Sequence, residues 1–166
     1  TYSITGGNTN NAFAINAATG ALRVNNSAAL DFETSPVFNL LVTVTDNGSP
    51  QQARTANVTV TLIDNNENVP VIAPQSFSIA ENSPVNTPVG TVVATDADPG
   101  QTLTYAIVGG NTNNAFKINA ANGQIQVNNQ AALNFETIKT FPLIVRVTDN
   151  GAPVFSAQNT VTISLL

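Results

Sequence analysis

A stretch of seven residues, Asp-Asn-Asn-Glu-Asn-Val-Pro, runs from Asp64 to Pro70 and concentrates oxygen donors in a chain of low charge. The chain holds only 10 acidic residues among 166, and two of them lie here together with three asparagines. Carboxylates and asparagine carbonyls are ligands that hard divalent cations prefer. The stretch therefore suggests a metal-binding segment, and the positions of the other acidic residues test that idea.

The other acidic residues avoid the interiors of the predicted strands and lie in turns or at strand ends. In a sandwich whose alternate turns collect at opposite ends, stacking two domains end to end would bring seven of the ten acids together. Those seven are Asp31, Glu33, Asp64, Glu67, Asp96, Asp98 and Asp149. Neighbouring carboxylates repel one another unless a cation binds them. Calcium, which takes about six to eight oxygen ligands, fits such a group better than magnesium does.

The composition excludes several classes of function. The chain has no His, Cys, Met or Trp, so Ser-His-Asp triads, cysteine nucleophiles and imidazole–zinc sites are impossible. A net charge of −5 with only five basic residues argues against nucleic-acid binding. No apolar run approaches the roughly 20 residues that span a bilayer, so we expect no membrane contact by this part of the protein. We also expect no enzymatic activity, because metal binding explains the acidic residues better than catalysis does.

An internal repeat sets the domain organisation. The segment TYSITGGNTNNAF at Thr1–Phe13 returns as TYAIVGGNTNNAF at Thr104–Phe116, and the offset of 103 holds without a gap to Leu166, with 37 of 63 aligned positions identical. A repeating unit of about 100 residues suits an independent domain. Residues 64–103 have no earlier counterpart, so we expect a truncated repeat with its linker at 1–69 and a complete repeat at 70–166.

Alternation with a period of two residues predicts strands throughout the second repeat, and no helical pattern of useful length occurs. The predicted strands are Phe77–Ile79, Thr91–Ala94, Leu103–Val108, Gln124–Val127, Phe141–Val147 and Thr160–Leu165. Turn sequences such as Asn122-Gly123 and Asp149-Asn150-Gly151 separate them. This pattern predicts an all-β chain of two immunoglobulin-like Greek-key β-sandwiches in tandem, the first lacking its first two strands.

Five short motifs, in order, give the chain its resemblance to a known family. They are Leu30-Asp31-Phe32-Glu33, the stretch Asp64–Pro70, Ala80-Glu81-Asn82, Asp96-Ala97-Asp98 and Asp149-Asn150-Gly151. Together they resemble the calcium-binding motifs of tandem cadherin repeats. In that family such residues imply up to three calcium ions between consecutive domains.

The resemblance implies a ligand role for nine residues. Asp31, Glu33, Asp64 and Glu67 would hold the two ions nearer the first domain. Asn66, the carbonyl of Asn68, Asp96, Asp98 and Asp149 would hold the third. The chain departs from the family at Glu67 and Asn134, which both replace Asp. Asp46, Glu81 and Glu136 match family ligands whose partners this sequence lacks, so we expect no metal role for them here.

The resemblance implies a calcium-rigidified adhesion or spacer module at the surface of a cell, in contact with neighbouring repeats of its own chain. Similar neighbouring repeats and the absence of cysteine favour a bacterial surface adhesin as the parent protein. A calcium-dependent polysaccharide-binding module is the alternative, although the chain has few aromatic residues for stacking on sugars. A first sandwich without two strands would expose open sheet edges, which another copy could cover by strand swapping.

Overall fold

The computed structural model describes all 166 residues and divides into two compact units, Thr1–Asp64 (unit 1) and Asn65–Leu166 (unit 2). Every regular element is a β-strand or a short 3₁₀ turn, and none of the helical turns has the length or apolarity to cross a membrane. The predicted all-β class is confirmed. The sequence places residues 65–69 with the first domain, whereas here they group with unit 2; the predicted limits 1–69 and 70–166 stay a prediction.

Unit 1 contains five strands in two small sheets. The strands are β1 (Tyr2–Gly6), β2 (Phe13–Ile15), β3 (Leu22–Val24), β4 (Val37–Thr45) and β5 (Ala53–Thr61), with 3₁₀ turns at Thr9–Asn11 and Ser27–Ala29. One sheet has the order β1-β4-β5, and β2 pairs with β3 in the other. All of these pairs are antiparallel.

Unit 2 contains seven strands in two sheets. The strands are β6 (Gln75–Ile79), β7 (Pro88–Thr91), β8 (Thr104–Gly109), β9 (Phe116–Ile118), β10 (Gln124–Val127), β11 (Thr140–Thr148) and β12 (Ser156–Leu165), with 3₁₀ turns at Thr112–Asn114 and Gln130–Ala132. The sheet orders are β6-β12-β11-β8 and β7-β10-β9. Strand β6 runs parallel to β12, and the other neighbours are antiparallel.

The core of unit 2 follows from the alternation along its two longest strands. In β11, the side chains of Phe141, Leu143, Val145 and Val147 are completely buried, while the residues between them face outward. Phe141 meets Phe116 of the opposite sheet edge to face, with ring centroids 5.1 Å apart. The alternating pattern therefore fixes which face of each strand enters the sandwich.

The strand predicted at Thr91–Ala94 is wrong in position, because β7 lies at Pro88–Thr91. Gly90 is opposite Ile125 of β10, and a Cβ added at Gly90 would lie 2.4 Å from the Phe77 ring. Glycine is rare inside strands and often marks a place where another group packs closely against the backbone, so Gly90 did not suggest a strand in the sequence. Beyond Thr91, the N–H of Val93 donates to the side chain of Gln75, so the chain leaves the ladder. The three-residue strand β9 was not predicted.

The repeated Gly-Gly-Asn-Thr-Asn-Asn segment forms the same loop in both units. In unit 2 the Asn111 side chain donates to the Phe116 carbonyl at 2.8 Å and accepts from the Phe116 N–H at 3.0 Å. Gly110 has a φ of +69°, and a Cβ there would lie 1.8 Å from the Pro142 carbonyl oxygen. The segment is therefore a packed connection between strands, and its glycine is required by both conformation and space.

We expect Gly110→Ala to destabilise unit 2 by more than about 3 kcal/mol, because it adds a backbone clash to a left-handed conformation. Gly100→Ala is the matched control, since Gly100 also has a positive φ (+78°) but no atom within 4 Å of its Cβ position. It should cost only about 1–2 kcal/mol. Tyr2 and Tyr105 are the only tyrosines, so ¹⁹F NMR of fluorotyrosine-labelled protein follows denaturant unfolding of each unit separately. Equal losses in the two variants would contradict the role assigned to the Pro142 carbonyl.

Candidate metal centre

The predicted ligands of unit 2 come from three segments that meet at one end of its sandwich. The first is the linker Asn65–Pro70, the second is the turn Asp96–Asp98, and the third is the turn that follows β11. An isolated antiparallel bridge joins Val71 to Thr95, with N–H···O distances of 2.7 and 3.0 Å. This bridge holds the linker alongside the Asp96–Asp98 turn.

Asp149 is 4% exposed and organises the turn after β11. Its carboxylate accepts hydrogen bonds from the backbone N–H of Gly151 at 3.1 Å and of Phe155 at 3.0 Å, and from Asn66 Nδ2 at 3.2 Å. Burial acts to raise the pKa of the Asp149 carboxyl, but the hydrogen bonds from Phe155, Asn66 and Gly151 outweigh it and hold that pKa below its usual value. The carboxylate is therefore charged at neutral pH and fixed in orientation.

Asn66 is 8% exposed and has one oxygen without a partner. Its Nδ2 donates to Asp149 and to the Pro153 carbonyl, while Oδ1 is buried and accepts no hydrogen bond. The opposite amide orientation would place Oδ1 against two acceptors. The bonds to Asp149 and Pro153 therefore identify Oδ1 as the atom without a hydrogen-bond partner. Gly151 makes room for this side chain, because a Cβ there would lie 2.1 Å from Asn66 Cγ.

Asp98 is 3% exposed, and Asn68 holds both of its carboxylate oxygens. The backbone N–H of Asn68 donates to Asp98 Oδ2 at 3.0 Å, and its Nδ2 donates to Oδ1 at 2.6 Å. The N–H of Asp98 in turn donates to Asp96 Oδ1 at 3.1 Å. The second oxygen of Asp96, Oδ2, is buried without a hydrogen-bond partner. The linker thus binds the Asp96–Asp98 turn through Asn68 and the Asp149 turn through Asn66.

Glu67, which lies between Asn66 and Asn68, is the fourth acidic residue at this end of unit 2. Its side chain is exposed, and a carboxylate oxygen of Glu67 lies within 4.8 Å of one of Asp98. The groups that donate to Asp98 and Asp149 are all amides, with no lysine or arginine among them. One end of unit 2 therefore carries four carboxylates, from Glu67, Asp96, Asp98 and Asp149, beside the unpaired oxygen of Asn66.

The chemistry of this set fits a hard divalent cation. Leaving a buried polar atom without a partner costs about 1–3 kcal/mol, and Asn66 Oδ1 and Asp96 Oδ2 are two such atoms. Both are oxygens, and they accompany carboxylates that would repel one another without a counter-charge. Calcium takes carboxylate and amide oxygens together in flexible geometry. The donor set therefore fits calcium.

The predicted ligands of unit 1 show no comparable arrangement within that unit. Both oxygens of Asp31 accept from Thr34, one from its N–H at 2.8 Å and one from its hydroxyl at 2.9 Å. Glu33 is exposed, and Asp64 has a buried Oδ1 without a hydrogen-bond partner. No three carboxylates of unit 1 lie within 4.8 Å of one another. The ligand roles of Asp31, Glu33 and Asp64, like that of the Asn68 carbonyl, stay predictions.

Sequence reasoning missed two residues that position the candidate ligands. It assigned only the carbonyl of Asn68 to the site, whereas the N–H and side-chain amide of that residue bind Asp98. Gly151 received no role beyond the turn, although the space it leaves admits Asn66. The equivalent turn of unit 1 shows the simpler arrangement, in which Asp46 Oδ1 accepts from Gly48 and Gln52. The linker motif had marked Asn66 as a ligand, but it did not indicate that the Asn66 amide also bonds Asp149.

The sequence is similar to cadherin domains and to two large animal proteins. The family model described as "Cadherin domain" matches residues 1–63 and 75–166. Protocadherin Fat 4 from Homo sapiens is 39% identical over 98% of the chain, and Cadherin-23 from Homo sapiens is 39% identical over 90%. The chain covers only 3% and 4% of these two proteins.

Solved structures agree in fold. The structure of mouse Cadherin-23 EC22-24 superposes with a TM-score of 0.87 at 28% identity. The match covers 99% of this chain and 52% of the Cadherin-23 chain. The protocadherin gammaB7 EC3-6 cis-dimer structure matches with a TM-score of 0.87 at 25% identity. The match covers 100% of this chain and 40% of the chain in that structure. The immunoglobulin-like sandwich prediction is confirmed.

These relatives also bear on the functional expectations. Cadherin domains are extracellular adhesion modules and not enzymes, as the sequence suggested. The relatives are animal proteins, so the expected bacterial adhesin finds no support in them. Nothing among them supports the polysaccharide-binding alternative. The matched family model, which covers nearly the whole chain, together with the fold and the ordered acidic motifs, shows that this chain belongs to the cadherin family.

Proposed function

We propose that the end of unit 2 formed by the linker and the two acidic turns binds calcium, and that the chain acts as a calcium-dependent adhesion or spacer module of an extracellular protein. One observation carries the proposal. Two buried oxygens, Asn66 Oδ1 and Asp96 Oδ2, have no hydrogen-bond partner, and they accompany the carboxylates of Asp98 and Asp149, whose hydrogen-bond donors are all amides. Calcium binding is typical of cadherin domains, which supports the choice of ion.

Five residues of unit 2 would hold the ion through their oxygens: Asn66, Glu67, Asp96, Asp98 and Asp149. When bound, calcium would supply positive charge beside these oxygens. Other residues of the chain hold these ligands in position. Asn68 fixes the Asp98 carboxylate, and Gly151 admits the Asn66 amide beside Asp149. Glu67 has one methylene more than the Asp of the family motif, so its carboxylate reaches further from the backbone.

The spacer role follows from where the ligands lie along the chain. Asn66, Glu67 and Asn68 belong to the segment that covalently joins the two units. Asn66 and Asn68 already bond Asp149 and Asp98, and an ion that strengthens this attachment to unit 2 would shorten the part of the linker that can move freely. Extracellular calcium modules bind with dissociation constants of about 10⁻⁴–10⁻³ M. Such affinities match the calcium level outside cells, so the segment would be fixed there.

The partners of the module belong to the same proposal. One of the similar structures is titled a cis-dimer, which supports contact with a second cadherin chain as well as with neighbouring repeats of the same chain. The chain spans a few per cent of the length of its curated relatives. Its adhesive partner therefore depends on the parent protein, and a bacterial parent stays an expectation from the sequence alone.

We expect 2 mM calcium to raise the free energy of unfolding of unit 2 by about 0.6–1.8 kcal/mol, given a dissociation constant of about 10⁻⁴–10⁻³ M. This corresponds to a rise of about 3–10 °C in Tm for a domain of this size. The measurement is a thermal melt of the full chain in calcium and in excess chelator, followed through the ¹⁹F signal of labelled Tyr105.

The matched pair for this experiment is Asp149→Ala and Asp46→Ala. The two residues occupy equivalent turns at the offset of 103, but only Asp149 is a candidate ligand. Both variants lose the hydrogen bonds of their turn, so the informative quantity is the difference between calcium and chelator. That difference should vanish in Asp149→Ala and persist in Asp46→Ala. A wild-type Tm that is the same in calcium and in chelator would contradict calcium binding.

Gly151→Ala should weaken calcium binding at least about tenfold, because the added Cβ would lie 2.1 Å from Asn66 Cγ and displace the amide that carries the unpaired oxygen. Gly48→Ala is the control, since its Cβ would lie 3.3 Å from the Asp46 carboxylate and 3.5 Å from the Pro50 carbonyl oxygen, with no closer contact. Isothermal titration of each variant with calcium chloride measures the affinities. Unchanged affinity in Gly151→Ala would remove Asn66 from the ligand set.

A further inference from the structure

The chain contains three Asn-Gly pairs, and two of them lie in equivalent turns of the two units. The pairs are Asn47-Gly48, Asn122-Gly123 and Asn150-Gly151. The first and the third both follow Thr-Asp and are related by the offset of 103. In such a pair the glycine nitrogen can attack the asparagine side chain, because glycine has no side chain that hinders the nitrogen or restricts the backbone. Whether a pair reacts therefore depends on how the fold holds it.

In unit 2 the fold holds both halves of the Asn150-Gly151 pair. The backbone N–H of Thr102 donates to Asn150 Oδ1 at 2.7 Å, and the N–H of Gly151 donates to the buried Asp149 carboxylate at 3.1 Å. Asn66 also packs against Gly151, where a Cβ would lie 2.1 Å from Asn66 Cγ. The side-chain amide and the glycine nitrogen are thus bound to different neighbours, and they can react only after this end of unit 2 opens locally.

The Asn122-Gly123 pair is held in a similar way. The N–H of Gln124 donates to Asn122 Oδ1 at 3.1 Å, and the N–H of Gly123 donates to the Asn119 carbonyl at 2.9 Å. Gly123 is buried, and a Cβ there would lie 2.7 Å from the Val92 carbonyl oxygen. Attack by the Gly123 nitrogen would therefore also require local opening.

The Asn47-Gly48 pair lacks this protection. Both residues are exposed in the loop between β4 and β5, and the Asn47 side chain has no hydrogen-bond partner. The N–H of Gly48 makes one hydrogen bond, to Asp46 Oδ1 at 3.0 Å. Asp46 is exposed as well, so water can replace this bond. Neither the side-chain amide nor the nitrogen is held by buried neighbours.

We propose that Asn47 is a site of spontaneous covalent modification, at which the Gly48 nitrogen converts the asparagine to aspartate and isoaspartate while the fold protects the other two pairs. The nitrogen forms a bond to Asn47 Cγ and gives its proton to solvent, and the Cγ–Nδ2 bond breaks to release ammonia. Water then opens the resulting succinimide. Cleavage between the nitrogen and Cγ gives aspartate, and cleavage between the nitrogen and the backbone carbonyl carbon gives isoaspartate. This inference does not depend on calcium binding.

The modification would change the charge and the backbone of one turn. Each product replaces a neutral amide by a carboxylate and so adds one negative charge to the net −5 of the chain. The new charge lies next to Asp46, whose Oδ1 accepts from Gly48 and Gln52. Isoaspartate also inserts a methylene into the main chain between Asp46 and Gly48. Because the release of ammonia to solvent is effectively irreversible, the modified fraction would increase with the age of the molecule.

Peptide mapping by mass spectrometry tests the proposal on the full chain. The folded protein is kept in neutral buffer for several weeks and sampled at intervals, and a parallel sample is kept in denaturant. Trypsin separates the three pairs, because cleavage after lysine and arginine places them in peptides 24–54, 118–139 and 147–166. Fragmentation of each peptide distinguishes asparagine, aspartate and isoaspartate at the three positions.

We expect Asn47 to convert at least about tenfold faster than Asn122 or Asn150 in the folded chain, a ratio that requires only about 1.4 kcal/mol of additional opening free energy at the two protected pairs. Both aspartate and isoaspartate should form at position 47. In denaturant, Asn47 and Asn150 should convert at similar rates, because the same two residues precede both pairs. Gly48→Ala should slow the conversion of Asn47, since the added methyl group hinders the attacking nitrogen.

Three outcomes would overturn the proposal. The first is conversion of Asn150 or Asn122 in the folded chain as fast as that of Asn47. The second is a difference between Asn47 and Asn150 that persists in denaturant, because the fold would then not be its cause. The third is an Asn47 that stays intact in the folded chain or yields aspartate without isoaspartate, which would exclude the succinimide step.

Discussion

The structure depends on one constraint, which is that the inward side chains of the long strands must be covered by a second sheet. In unit 2, Phe141, Leu143, Val145 and Val147 are enclosed because β7, β9 and β10 lie across them and β6 closes the edge of β12. Burying a valine or leucine side chain contributes about 1.5–3 kcal/mol relative to leaving it exposed. That gain fixes the ends of the strands, and the acidic turns are built on those ends. The candidate metal centre is thus positioned by the sandwich rather than by its own loops.

Much of this arrangement can be predicted from the sequence, because alternation and turn chemistry are local. Val161, Ile163 and Leu165 alternate with polar residues, and the strand predicted there is part of β12. The identity between the repeats indicates which two strands unit 1 lacks. The acids that follow strands, such as Asp98 and Asp149, are identified by their position after a predicted strand. Their burial, however, depends on long-range packing that no local pattern reports.

The parts that could not be predicted involve contacts between residues far apart in the chain. Asn66 bonds Asp149 across 83 positions, and Asn68 bonds Asp98 across 30. The linker motif marks both asparagines as candidate ligands, and only the fold shows that their amides also hold carboxylates. The misplaced strand at Thr91–Ala94 has a similar origin. The β-branched residues there suggested a ladder, but the approach of Phe77 to Gly90 sets the pairing three residues earlier.

The contacts of the linker also have a consequence for how unit 2 bears a mechanical load. A pull that reaches unit 2 through the linker acts first on the bonds from Asn66 to Asp149 and from Asn68 to Asp98, and next on the Val71–Thr95 bridge. Strand β6 begins only at Gln75, so the load reaches it after these contacts. The linker contacts therefore stand between an applied force and the core strands.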